Sequence, residues 1–240
     1  MEIESLERAT VAGVAPTLVE EIGGWLVPLD DGVIGRAKSA VPLRHDVDAS
    51  ALNDIEAAYW SAGLTPALRV ADVAGLEAVQ VALSSRGYVP AKPTLVKIGD
   101  VARLAILRDS PADMISAPDE DWRAVFLGPG FDLADGAGRV AALSRSPDAA
   151  YGVVREGGRT VAVGVATFGH GWAGIHGMRT EARCRGRGLA SRVLAALGRA
   201  TQARGIDRVY LQVEEGNDAR SLYRKAGFQE AWRYRYWTRP

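Results

Sequence analysis

Cysteine is almost absent: Cys184 stands alone, so the chain can close no internal disulfide and build no cysteine-based zinc site. Surplus charge is absent too. The 29 basic and 29 acidic side chains cancel, which argues against a dedicated nucleic-acid binder. No apolar run approaches the length of a membrane span. The first residues, Met1-Glu2-Ile3-Glu4-Ser5, are acidic and lack the basic-then-apolar pattern of an export signal. The expectation is a cytoplasmic protein with no nucleic-acid and no membrane partner. Length and an ordinary apolar share permit one large domain or two small ones.

The first hundred residues read as a small α/β unit. Trp25-Leu26-Val27 and Val33-Ile34 flank Asp30-Asp31-Gly32, a hairpin signal. Asp48 or Ser50 is positioned to cap a helix from Ala51 to Ala62, ended by Gly63. A strand from Pro66 to Val70, a helix from Val73 to Ser84 and a strand from Thr94 to Ile98 follow. Residues Arg108 to Pro118 are rich in Asp, Ser and Pro and form a joint, with a strand at Val101 to Leu107 before it. The division is therefore 1–100 and 101–240.

Beyond the joint the order is α, α, β, β, β, α, β, α, β. Helices are predicted over Asp119–Phe126 and Leu133–Ser144. The strands are Ala150–Val154, Thr160–Phe168 and Trp172–Met178, joined at Glu156-Gly157-Gly158 and Gly169-His170-Gly171. A helix over Gly188–Ala203, a strand over Val209–Glu214, a short helix over Ala219–Ala226 and a strand over Phe228–Trp237 complete the chain. A meander followed by a β-α-β crossover is an α+β arrangement: a central mixed sheet flanked by helices.

The segment Arg183-Cys184-Arg185-Gly186-Arg187-Gly188-Leu189-Ala190 follows a strand and opens a helix. Glycines let backbone approach a ligand closely. The first helical turn leaves N–H groups unpaired, and the dipole favours an anion there. Three arginines add positive charge. A Walker A loop needs lysine, and none is present. A dinucleotide loop needs a third glycine directly after a buried parallel strand, whereas Arg179 to Arg185 is polar and the strand before it belongs to a meander. Cys184 reads as a small side chain beside this loop.

Arg183-x-x-Gly186-x-Gly188-Leu189-Ala190 resembles the coenzyme A pyrophosphate loop of the GNAT superfamily of N-acetyltransferases. Downstream, Leu211 to Phe228 resembles the same superfamily: a strand, Asn217, a short helix carrying Leu222-Tyr223, then Gly227-Phe228. The resemblance covers residues 100 to 240. One departure is that Asn217 lies a residue closer to Tyr223 than in the superfamily pattern.

The resemblance implies a GNAT-like fold and acetyl transfer from acetyl-coenzyme A to an amine, with acetyl-coenzyme A as acyl-donor cosubstrate and no metal. Tyr223 matches the general acid that protonates the departing thiolate. Met178, Arg179 and Thr180 match the strand that pairs with the pantetheine arm and polarises the thioester. Arg183, Arg185, Gly186, Arg187, Gly188, Leu189, Ala190 and Ser191 would hold the pyrophosphate, and Asn217 and Ser221 the coenzyme A arm. Glu214 and His176 are two candidates for the base, His176 on the assumption that it shares a strand face with Met178 and Thr180; an ordered water is a third. Asn217 also reads as a helix N-cap.

The first half echoes the second. Ala62 to Val70 parallels Arg204 to Val213, and Ala82 to Tyr88 parallels Leu222 to Phe228. This suggests a tandem pair of similar folds. Ser84 or Leu83 stands at the tyrosine's place, and Leu43-Arg44-His45-Asp46-Val47-Asp48 at the loop's, without glycine. The first half is thus expected to have lost coenzyme A binding and to wall the acceptor site. Gly35 to Ala40 resembles a stretch of two-part superfamily members. Arg36 and Lys38 read either as an exposed strand face or as the binding site of an anionic acceptor. The acceptor is a small-molecule or peptide amine, and a homodimer stays open. The rival readings are a non-catalytic acyl-coenzyme A module and a nucleotide-dependent oxidoreductase.

Overall fold

Three aspartates start helices in the middle of the chain. Asp100, Asp119 and Asp132 each accept the backbone N–H three residues on, at 3.1, 2.7 and 2.7 Å. The cap at Asp100 overturns the strand expected over Val101–Leu107. Val101, Leu104 and Ala105 are buried at helical spacing, so the segment is a short helix.

The computed structural model describes residues 2–128 and 132–240. In chain order the elements are α1 (Ile3–Gly13), β1 (Leu18–Ile22), β2 (Trp25–Leu29), β3 (Val41–Pro42), α2 (Leu52–Ser61), β4 (Ala67–Ala71), α3 (Glu77–Ser85), β5 (Val89–Asp100) and α4 (Val101–Ala105). Next come β6 (Asp113–Ile115), α5 (Glu120–Leu127), α6 (Leu133–Ser144), β7 (Ala149–Glu156), β8 (Arg159–Gly169) and β9 (Trp172–Thr180). The chain closes with α7 (Leu189–Gln202), β10 (Arg208–Glu214), α8 (Arg220–Lys225) and β11 (Gln229–Thr238).

Eight strands form one mixed sheet in the order β4-β11-β5-β10-β9-β8-β7-β6, and β1-β2-β3 form a small second sheet. The α+β expectation holds. Only β9 and β10 run parallel within the large sheet; its other neighbours are antiparallel. Strand β5, from before residue 100, lies between β10 and β11, from after it.

One face of the sheet carries α4, α7 and α8, with Val193, Leu194, Leu197 and Phe228 in its core. The other carries α1, α2 and α3 over Trp25, Tyr59, Leu68 and Tyr210, and α5 and α6 over Tyr151, Val163 and Val165.

Two-residue turns with positive φ at Gly157-Gly158 and His170-Gly171 join β7 to β8 and β8 to β9, as the sequence suggests. The hairpin expected around Asp30-Asp31-Gly32 does not form. Strand β2 pairs backwards with β1 through Gly23-Gly24. The Asp30 carboxylate is buried and accepts from Thr17 N–H, Thr17 Oγ1 and Gly32 N–H, which ends the strand in a turn. Neither Asp48 nor Ser50 caps α2: Asp48 instead accepts from the backbone N–H and hydroxyl of Ser50. Residues Gly35–Ala37 form a 3-10 turn, not a strand. The joint at 108–118 contains the edge strand β6.

Candidate active site

Strands β9 and β10 pair over three residues only, Ala173–Ile175 with Val209–Leu211. Past that point β9 continues against β8 and β10 against β5, so the two strands part. His176 and Gln212 are the first residues beyond the last pair. Immediately after His176 the register slips: Val163 faces Arg179 while Val165 faces His176, so Gly164 stands opposite both Gly177 and Met178. This is a β-bulge, with Gly177 at φ +57°.

The bulge reverses side-chain alternation and corrects the expectation that His176 and Met178 share a face. His176 lies on the α1 side, against Thr167, Gly13 and Tyr210. Met178 lies on the α7 side, near Gly164 and Val193. Thr180 pairs with Ala162 at the end of β9. Arg179 is half-buried; it stacks on Phe126 at 5.0 Å and lies 3.6 Å from Asp135.

The loop opening α7 has the conformation its glycines allow. Gly186 and Gly188 have φ of +75° and +78°, where L side chains are strained. A Cβ on Gly186 would meet nothing within 4 Å, so its backbone is open. Gly188 is the N-cap of α7, with Leu189 and Ser191 buried behind it and Ala190 half-buried. Two loop arginines have carboxylate partners: Arg183 with Glu181 at 2.8 Å, and Arg187 with Glu156 through two nitrogens at 2.8 and 3.0 Å. Arg185 reaches only the Thr180 carbonyl, at 3.5 Å. Cys184 is buried in the core beneath.

A further cation was missed in the sequence. A guanidinium nitrogen of Arg108 lies 2.9 Å from where a Gly188 Cβ would stand, and among the described residues Arg108 has no acidic partner. It comes from the joint some eighty residues upstream, where no motif marks it. The loop is thus a backbone nest with two arginines beside it that have no carboxylate partner among the described residues, a fit for an anion such as a diphosphate.

Tyr223, on α8, is 8% exposed and packs edge-on against Phe228. Burial pushes its phenol up to about 12. Its hydroxyl has no hydrogen-bond partner among the described residues and is not one of the fully buried polar atoms. Asn217 Oδ1 accepts the Ala219 N–H at 2.8 Å, serving the turn into α8. Ser221 is exposed, its hydroxyl 3.4 Å from the Asp218 carbonyl. Glu214 is exposed at the end of β10.

His176 is 3% exposed. Nε2 shares a hydrogen bond with Thr167 Oγ1 at 3.0 Å, and Nδ1 is buried without a partner. Burial, then the nearby Arg36 charge, holds its pKa well below the usual histidine value, so the ring is neutral at pH 7.

Helix α1, which the sequence reading passed over, closes this side. Thr10 accepts from Gln212 Nε2 at 3.2 Å, and Gln212 Oε1 accepts from Tyr234, whose hydroxyl lies 3.3 Å from that of Tyr236. Glu7 pairs with Arg69, and both are almost wholly buried. Among the described residues no group of three His, Cys, Asp or Glu side chains could hold a metal ion. No helix among them is long and apolar enough to cross a membrane.

Known proteins resolve what such a cleft belongs to. Residues 1–237 match the family described as "Probable histone acetyltransferase Rv0428c C-terminal". The chain belongs to this family. Its fold is that of the GNAT acetyltransferases. A GCN5-related N-acetyltransferase from Kribbella flavida superposes with a TM-score of 0.74 at 16% identity, over 99% of this chain and 95% of that one. A conserved protein of unknown function from Staphylococcus epidermidis gives 0.69 at 14% identity, over 94% of both chains. A tandem GNAT protein from the clavulanic acid biosynthesis pathway gives 0.63 at 12% identity, over 99% of this chain and 94% of that one. No curated protein matches. In this fold the glycine loop lies at the mouth of α7 and Tyr223 on α8, with the bulged strand β9 and the parting of β9 and β10 between them in the sheet.

Proposed function

We propose that the chain transfers an acetyl group from acetyl-coenzyme A to a primary amine. The observation that carries this is the open nest at Gly186 and Gly188, on the helix that follows the strand parting from β10. The diphosphate would sit on the nest with Arg185 and Arg108. The pantetheine arm would run along Met178, Arg179 and Thr180 of the bulged strand, and Asn217 and Ser221 would flank it.

The amine nitrogen attacks the thioester carbonyl, forming a C–N bond as the C–S bond breaks. One proton leaves the nitrogen, and the thiolate takes one. Tyr223 supplies the second: its raised pKa keeps it a neutral donor, and its hydroxyl has no competing partner. Before the attack a lysine-like acceptor must also give up its ammonium proton: with a pKa of about 10.4 it is neutral in only about one molecule in 2,500 at pH 7, a deficit of about 4.6 kcal/mol. Two acceptors are available for protons leaving nitrogen: Glu214, exposed at the end of β10, and the neutral His176 beneath α1. Residues 101–240 carry the transfer chemistry, and residues 1–100, a GNAT-like copy without its own loop, wall the acceptor side.

The burial of Tyr223 favours a second reading, a module that binds acyl-coenzyme A without turnover. One experiment separates them: calorimetry with coenzyme A, then thiol release from acetyl-coenzyme A across a panel of amines. Binding with amine-dependent thiol release is expected. Binding without it leaves the module, and no binding removes both.

A further inference from the structure

The α1 side of the cleft holds one positive charge more than it balances. Arg69 is 1% exposed and has one carboxylate partner, Glu7; its Nε and Nη2 are buried without partners. Arg36 is half-buried. Its Nε is buried and unpartnered, and among the described residues no carboxylate or carbonyl accepts from its guanidinium. Two guanidinium groups therefore face one carboxylate. The Nε edge of Arg36 is out of water with no acceptor, and that cost falls when an anion arrives.

Arg36 is held in place by its own turn. Gly35 lies against the Tyr236 ring, where a Cβ would stand 2.9 Å from the hydroxyl, and its carbonyl accepts from the fully buried Ser39 at 2.7 Å. Ile34 and Ala37 on either side are buried against Val14 and Ala142. The Arg36 charge acts on His176 of β9, Tyr210 of β10 and Tyr234 of β11. His176 adjoins the bulge at Gly177, and it and Gln212 are the first residues past the point where the strands part. The Arg36 turn is thus tied to the place where the strands part: Gly35 lies against Tyr236, whose hydroxyl is 3.3 Å from that of Tyr234, and Tyr234 donates to Gln212 at 2.9 Å.

We propose that the amine acceptor carries a carboxylate, and that the Arg36 guanidinium binds it while the amine is directed toward β9. This rests on the acetyl-transfer reading above and adds the acceptor's class: an amino acid or another amine bearing a nearby carboxylate.

The test uses the full chain and paired probes: glycine with glycinamide, L-alanine with L-alaninamide, L-lysine with L-lysinamide. Thiol release from acetyl-coenzyme A is followed for wild type, Arg36→Gln and Arg36→Lys, with coenzyme A affinity measured by calorimetry for each. A charge-assisted contact predicts a preference of about ten- to a hundredfold in kcat/KM for the carboxylate member of a pair. Arg36→Gln should remove that preference through KM and leave the amide probe's KM and coenzyme A affinity unchanged; Arg36→Lys should restore part of it. Unchanged coenzyme A affinity shows that the variants are folded. Equal rates for both members of every pair, an equal loss on both in Arg36→Gln, or coenzyme A binding with no carboxylate probe acetylated would overturn the proposal. Failure of wild type to bind coenzyme A would instead sink the acetyl-transfer reading, and the acceptor class with it.

Discussion

Replacing Tyr223 by Phe removes one oxygen that has no hydrogen-bond partner among the described residues, so on the proposed reading its cost falls on the chemistry. The phenol is pushed up to about 12 by burial, and a free thiol titrates near about 8.5, so complete proton transfer to a free thiolate would be uphill by about 5 kcal/mol. The hydroxyl's share in lowering the barrier is therefore the hydrogen bond it makes to negative charge as it develops on sulfur, ahead of the proton transfer itself. Such a bond to a charged group contributes about 1.5–3 kcal/mol, or about ten- to 150-fold in kcat. The sign of the pH effect follows. A raised pKa keeps the donor protonated up to about pH 12, so Tyr223 should add no descending limb below pH 10. The assay is thiol release from acetyl-coenzyme A between pH 6 and 9.5, with coenzyme A affinity and unfolding measured alongside. Affinity and stability should stay close to wild type. An unchanged kcat, or a wild-type descending limb near pH 9 that Tyr223→Phe abolishes, would refute this reasoning.

Three further outcomes are expected. Gly188→Ala forces an L side chain to φ +78° and its Cβ toward the Arg108 guanidinium, at a strain of about 1–2 kcal/mol; calorimetry should show weaker coenzyme A binding, and a melt should show a lower midpoint. His176 has a pKa depressed in the fold, so its contribution to stability is complete above about 6.5 and is lost as pH falls below that, by up to about 1.4 kcal/mol per pH unit. Denaturant titrations at pH 7.5 and 5.5 should show a steeper loss in wild type than in His176→Gln, with half-buried His45, also depressed, contributing equally to both. A chain cut to residues 101–240 lacks the strand between β10 and β11 and should give no cooperative melt.

What was legible in the sequence was local. The loop at Gly186 and Gly188, the helices after Asp119 and Asp132, and the turns at Gly157 and His170 all carry their own signals in cap residues and positive φ. Partners distant in the chain were not legible. Nothing in Val89–Asp100 says that it enters between β10 and β11, because apolar alternation fixes a face and not a neighbour. Helix α1 begins at Glu2 with no side-chain cap to announce it. Arg108 meets Gly188 only through the fold. Two misreadings had signals available: Asp100 is an N-cap residue before an i, i+3, i+4 apolar pattern, and Gly177 inside a strand marks a bulge. That bulge decides which face His176 occupies.

Strand order shows how the first half echoes the second. In β4-β11-β5-β10, exchanging β4 with β10 and β5 with β11 returns the same order read from the other edge. Each half thus contributes a strand-helix-strand whose second strand lies between the strands of the other. The helix exits match in detail. Tyr88 N–H donates to the Leu83 carbonyl at 3.1 Å after Gly87 at φ +82°, and Phe228 N–H donates to the Tyr223 carbonyl at 3.0 Å after Gly227 at φ +90°. Leu83, rather than Ser84, therefore stands where Tyr223 does, buried and without a proton to give. At the place of the loop, His45 packs edge-on against Trp232, and a Cβ on Gly75 would stand 2.0 Å from the His45 carbonyl, so the backbone that is open at Gly186 is closed here. On the proposed reading, a first half that holds no cofactor is free to present Arg36 and α1 to the acceptor. That division of labour supports the proposal that residues 1–100 select the acceptor and residues 101–240 perform the transfer.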